Sequence, residues 1–175
     1  MSAPPRSSLY GSDEQDAVAV DLPRWLRLAG AVLDDERVPA DTEVSLIFVD
    51  EEAIADLNRR FLDGTGPTDV LAFPIDHEQP PGGRRPDGGG RGPGSPVDAS
   101  EPPTVLGDVV ICPAVAAANA TAAHGRVDDE LALLVVHGLL HLLGHDHAEP
   151  EETEAMRRRE RELLARFHAG EGSDR

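Results

Sequence analysis

Four of the seven histidines of this 175-residue chain fall between positions 137 and 147, in HGLLHLLGHDH. His137 and His141 are four residues apart. On a helix that spacing leaves them about 40° apart around the axis and roughly one turn apart along it, so both imidazoles reach one point. Gly144 follows, and glycine readily takes the left-handed conformation that ends a helix. Past that turn the chain can fold back, and His147 can bring a third nitrogen to the same point. His145 could take that place only if the helix ran on through Gly144. Otherwise it sits behind the ligands, where Asp146 is also placed to orient an imidazole. Three neutral imidazoles suit one zinc ion, although nickel and copper also favour them. Three protein ligands leave a fourth position open, as catalytic zinc requires and structural zinc does not. A metal there would lower the pKa of a bound water and polarise a substrate. A lone histidine rarely has such a role, but several unpaired imidazoles in a leucine-rich helix would be costly to bury.

The residue after the first histidine narrows the chemistry. The spacing H-x-x-x-H-x-x-G-x-x-H resembles that of the metzincin proteases, which carry glutamate in the second position as the general base for peptide hydrolysis. Here that position is Gly138. A metallopeptidase would need its base from elsewhere, so peptide hydrolysis is the runner-up reading.

The rest of the chain must position these groups. A short first strand is expected at Leu9 and Tyr10. In DLPRWLRLAGAVLDDE, Asp21 is a plausible N-cap and Pro23 sits in the first turn. Leu22, Trp25, Leu26, Ala29, Val32 and Leu33 share one face of that helix. EVSLIFVD reads as a strand, and Asp50 then caps a helix whose buried side is expected to hold Ile54, Leu57 and Phe61. TDVLAFPID and VLGDVVIC read as two more strands. PAVAAANATAAHG reads as a helix from Pro113 to Gly125, and DDELALLVVHGLLHLLG as a long buried one. EPEETEAMRRRERELLARF reads as an amphipathic surface helix. Residues 78–104 are dominated by proline and glycine and cannot bury enough apolar surface to order themselves. They are expected to form a disordered insert; an RNA-binding Arg-Gly segment is the less favoured alternative. One domain over 8–168 is expected, with loose tails at 1–7 and 169–175. The order of elements predicts an α+β or mixed α/β fold of about four strands and five helices.

Composition sets limits. The formal net charge is −17, and every basic side chain is arginine. Such acidity argues against gripping DNA by bulk electrostatics. The arginine clusters at 59–60, 84–85 and 157–161 are expected mainly to pair with the abundant carboxylates. One cysteine, Cys112, allows no internal disulfide and is expected to be a small buried hydrophobe. No apolar run is long enough to cross a bilayer, and residues 1–16 lack the apolar core of a signal peptide, so a cytoplasmic location away from membranes is expected.

HGLLHLLGHDH, with PTDVLAFP at 67–74 and LGDVVI at 106–111, resembles the bacterial YbeY family. The resemblance runs from about EVSLIFVD through the last helix and leaves out the N-terminal tail and the insert. In the family the strands flanking the insert are usually closer together. The resemblance implies a zincin-like fold, with a mixed sheet and a buried central helix carrying the metal-binding histidines. It also implies a single-strand-specific, zinc-dependent endoribonuclease that acts in 3′-end maturation of 16S ribosomal RNA and in 70S ribosome quality control. The family's three zinc ligands match His137, His141 and His147. The implied partners are single-stranded or ribosomal RNA and a ribosomal subunit or protein. Many members carry an arginine, linked to RNA binding or catalysis, just after an aromatic residue upstream of PTDV. Here the aromatic is Phe61 and the next residue is Leu62, with Arg59 and Arg60 displaced nearby as the RNA-binding candidates.

Two routes to phosphodiester cleavage stay open: attack by water activated at the metal, or attack by the ribose 2′-OH with the metal stabilising the transition-state charge. Asp108 and Asp146 are the candidate bases, and Asp108 is equally well read as a turn residue after Gly107. A non-catalytic zinc-binding ribosome assembly factor is a further alternative.

Overall fold

A computed structural model describes residues 8–75, 104–145 and 148–169. The elements run β1 (Leu9–Asp13), α1 (Leu22–Asp35), β2 (Glu43–Phe48), α2 (Glu51–Leu62), β3 (Val70–Pro74) and β4 (Val105–Ile111). They continue with α3 (Pro113–Ala122), α4 (Val127–Leu142) and α5 (Pro150–Phe167). The fold is α+β, as expected. All of the expected insert except Thr104 lies outside the described residues, as do the expected tails at 1–7 and 169–175 except for Ala169.

The four strands form one mixed sheet in the order β1-β2-β4-β3. β1 and β4 run parallel to β2, and β3 runs antiparallel to β4. Alternation along the strands sorts their side chains into two cores. Val44, Leu46, Phe48, Val109 and Ile111 face α1, α4 and α5. Leu71 and Val110 face α2, where Val49, Ile54 and Cys112 complete a smaller cluster. α4 is the central helix, with nine buried residues, among them Val135, Val136, Leu139 and Leu140. Each such buried aliphatic side chain contributes roughly 1.5–3 kcal/mol.

The helix starts follow local chemistry. The Asp21 carboxylate accepts from the Arg24 backbone N–H at 3.2 Å, and that of Asp50 from Ala53 N–H at 2.8 Å. α5 opens with a capping box between Glu149 and Glu152. Its far side is tied to the end of α1, where the Arg159 guanidinium donates to Glu36 and Asp35, both at 2.5 Å.

One element runs longer than its expected residues, and one expectation needs correction. β1 extends to Asp13, beyond Leu9 and Tyr10, because pairing with Gly11↔Leu46 through Asp13↔Phe48 overrides the weak strand preference of Gly-Ser-Asp. Phe61 is not on a buried face: it is 63% exposed. It lies on the last turn of α2, where its ring meets that of Phe73 on β3 edge-on at 5.6 Å between centroids. Among the described residues no helix is long and apolar enough to cross a membrane.

Candidate functional site

α4 carries His137 and His141 out of the core toward an open cleft of about 630 Å³. One wall of the cleft is Leu62 with Asp69 and residues of β3; the other is His137, Gly138, His141, Gly144 and His145. The Nε2 atoms of His137 and His141 lie 3.1 Å apart. Two nitrogens bound to one tetrahedral zinc at about 2.0–2.1 Å would lie about 3.3 Å apart. The pair therefore fits a shared ion of that size with little adjustment.

Three local features hold this geometry. First, Nδ1 of His137 is 2.6 Å from a carboxylate oxygen of Glu160, on α5. An ionised carboxylate only accepts hydrogen bonds, so Nδ1 carries the proton, and in the neutral imidazole Nε2 then keeps its lone pair. Second, α4 stops where expected. Gly144 has φ +90°, its N–H donates to the His141 carbonyl at 3.0 Å, and the His145 N–H donates to the Leu140 carbonyl at 3.0 Å. This paired 5→2 and 6→1 arrangement is the Schellman cap, and it places His145 outside the helix. Third, Gly138 lets α4 lie against β4. A Cβ at that position would sit 2.5 Å from Cγ1 of Val109, a residue with no exposed surface. The glycine where metzincins have glutamate is thus a packing requirement as well as a missing base.

The other candidates are placed as follows. His147 and Asp146 lie outside the described residues. Among the described residues no three His, Cys, Asp or Glu side chains form a group that could hold a metal. Asp108 pairs in register with Phe73 on the face of β4 that also holds Val110, while Val109 between them faces α4. Asp108 is not among the cleft-lining residues. Arg59 and Arg60 both pair with the Asp56 carboxylate, and Arg59 lines a separate cleft with Asp50 and Gly64. Leu62, in contrast, lines the histidine cleft itself. Cys112 is fully buried, and burial pushes its thiol pKa up, which removes it as a nucleophile.

Two further residues belong to the site. Glu160 was legible as an anomaly: it stands at an apolar position of α5, between buried Met156 and Leu163. Asp69 of the PTDV stretch lines the cleft, and its backbone carbonyl accepts from Cys112 N–H at 2.9 Å. Its carboxylate accepts from Val70 N–H at 2.8 Å and from the Asn119 amide at 3.3 Å. Glu130, at the start of α4, has its pKa raised by burial first and by the charge of Asp69 second.

Known proteins are similar to this chain in sequence and in fold. The family model for endoribonuclease YbeY matches residues 11–168. An endoribonuclease YbeY of Beutenbergia cavernae is 46% identical over 156 residues, covering 89% of this chain and 95% of that protein. One from Thermobifida fusca is 46% identical over 151 residues, covering 86% and 88%. The solution structure of a Thermotoga maritima protein superposes with a TM-score of 0.53 at 22% identity, covering 95% of this chain and 96% of that one. That likeness speaks for the fold, and the sequence matches speak for kinship. From β1 to the end of α5, the chain belongs to the endoribonuclease YbeY family.

Proposed function

We propose that this chain is a metal-dependent endoribonuclease that cuts single-stranded RNA, with His137, His141 and His147 holding one zinc ion on a zincin-like scaffold. Its place of work on this reading is the cytoplasm, in 3′-end maturation of 16S ribosomal RNA and in ribosome quality control. The carrying observation is the His137–His141 pair, with Nε2 atoms 3.1 Å apart at an open cleft. Kinship with proteins named endoribonuclease YbeY supplies the substrate class.

The residues divide the work. His137 and His141 present lone pairs to a common point, and His147 is the third ligand on this reading. A bound zinc ion would supply Lewis acidity toward a phosphate oxygen and a lowered pKa for water. Leu62 and β3 form the wall against which an RNA strand lies. An unpaired strand suits a cleft with an apolar wall, because its bases are free to leave the stack. A chain of net charge −17 holds free RNA weakly, so docking on a ribosomal subunit or protein supplies the remaining affinity.

Leu62 also favours a second reading. It puts an apolar side chain in the cleft at the place where the family resemblance implies an arginine, which suits an assembly factor that binds without cutting. An end-labelled RNA containing one single-stranded and one duplex segment separates the two. Internal cuts confined to the unpaired segment are expected. Cuts in both segments, or progressive shortening from an end, would overturn the proposal, and intact RNA with retained ribosomal binding would favour the assembly factor.

A further inference from the structure

Glu160 is the one glutamate on the buried stripe of α5, with Met156 and Leu163 as its neighbours there. An ionised carboxylate in such a position is costly unless paired. The adjacent Arg159 does not pair with it, because its guanidinium is engaged with Asp35, Glu36 and Glu162. The partner of Glu160 among the described residues is His137 Nδ1, at 2.6 Å. Helix α5 thus offers arginine to α1 and carboxylate to α4 from consecutive residues.

We propose that Glu160 is the positioning residue of the metal site. It accepts from Nδ1–H of His137, fixes that tautomer, and turns the Nε2 lone pair to the point shared with His141. The inference rests on the metal reading above. It goes beyond a structural ion pair, because a residue that only tied α5 to α4 would affect stability and leave the imidazole free to choose its tautomer. Carboxylates behind ligand histidines tune affinity in this way, and their loss typically weakens metal binding 10- to 100-fold.

The test uses the full chain with Glu160→Gln and Glu160→Ala. Zinc affinity is read by competition with a chromophoric chelator, and the His137 tautomer by nitrogen-15 spectra of metal-free protein above about pH 8, where imidazole is neutral. The expected result is a 10- to 100-fold loss of affinity in Glu160→Ala, with a shift of His137 toward the Nε2–H tautomer. Glu160→Gln, whose amide oxygen still accepts, should recover most of both. If Glu160→Ala does not fold, Glu160→Leu, which fills the same buried position without an acceptor, should show the same loss of affinity and the same tautomer shift. Wild-type affinity and tautomer in the folded variants would overturn the inference. Wild-type protein that binds no zinc would overturn the metal reading, and the metal-free spectra would still decide whether Glu160 sets His137.

Discussion

Replacing Gly138 by alanine adds one carbon where α4 crosses β4. That carbon would lie 2.5 Å from Cγ1 of Val109, 3.2 Å from Cγ2 and 3.4 Å from Cβ. Carbon pairs are comfortable at about 3.5–4.0 Å, so the closest contact is short by roughly 1 Å. Val109 cannot swing aside easily, being β-branched and fully buried in the sheet. Overpacking of this kind costs about 1–3 kcal/mol, against a gain of about 0.8–1.0 kcal/mol from replacing glycine by alanine within a helix. The short contact and the stiff neighbour place the net loss at about 1–2 kcal/mol. That corresponds to roughly 2–8 °C in Tm for a chain of this size. Urea denaturation followed by circular dichroism measures it. The same chains carrying Val109→Ala close a double-mutant cycle, in which removing the valine should recover about 1 kcal/mol or more of the Gly138→Ala loss. A Gly138→Ala protein as stable as wild type, or a cycle with no coupling, would refute the close-approach argument. By the same contact, Gly138→Glu should yield a poorly folded protein and no peptidase.

Leu62→Arg puts a cation into the histidine cleft; single-stranded RNA binding should tighten by about three- to tenfold, with the salt dependence of log K steeper by about 0.7. Unchanged binding at low salt would show that the strand does not pass Leu62. Arg159→Ala should cost about 1–2 kcal/mol by removing its bonds to Asp35 and Glu36. The hydrogen bond from Arg159, with smaller help from Arg166, holds Asp35 below its usual pKa. A depressed carboxylate stabilises the fold above its unfolded value of about 3.9 and loses that contribution as pH falls through the folded value. The gap between wild type and Arg159→Ala should therefore shrink below about pH 4, and a gap independent of pH would count against the network.

The parts of the fold readable from sequence were those where local signals and burial agree. Asp21 and Asp50 cap helices that tertiary packing also wants, and Gly144 ends α4 as its left-handed freedom suggests. Phe61 was misread because helical spacing reports a face and not whether anything covers it; only Ile54 of the expected stripe on α2 is fully covered. β1 was legible only in part, since its Gly-Ser-Asp half is a strand by virtue of its partner β2. At the site, the i, i+4 spacing of His137 and His141 is a property of one helix and could be read directly. The Glu160 partner of His137 comes from α5, 23 residues away, and only its place among buried Met156 and Leu163 hinted at a role. The apolar wall needed the sheet order, because Leu62 and β3 meet α4 only once β3 is laid on the outer edge of β4.

The central claim is that one metal ion held by the histidines of α4 and the following turn is what makes this chain a nuclease. The direct measurement takes wild type and His141→Ala from one preparation, determines zinc per chain, and assays both on the same labelled single-stranded RNA. The account predicts about one zinc per wild-type chain, little in the variant, and cleavage by the wild type alone. Equal cleavage by a folded, zinc-free His141→Ala protein would contradict it.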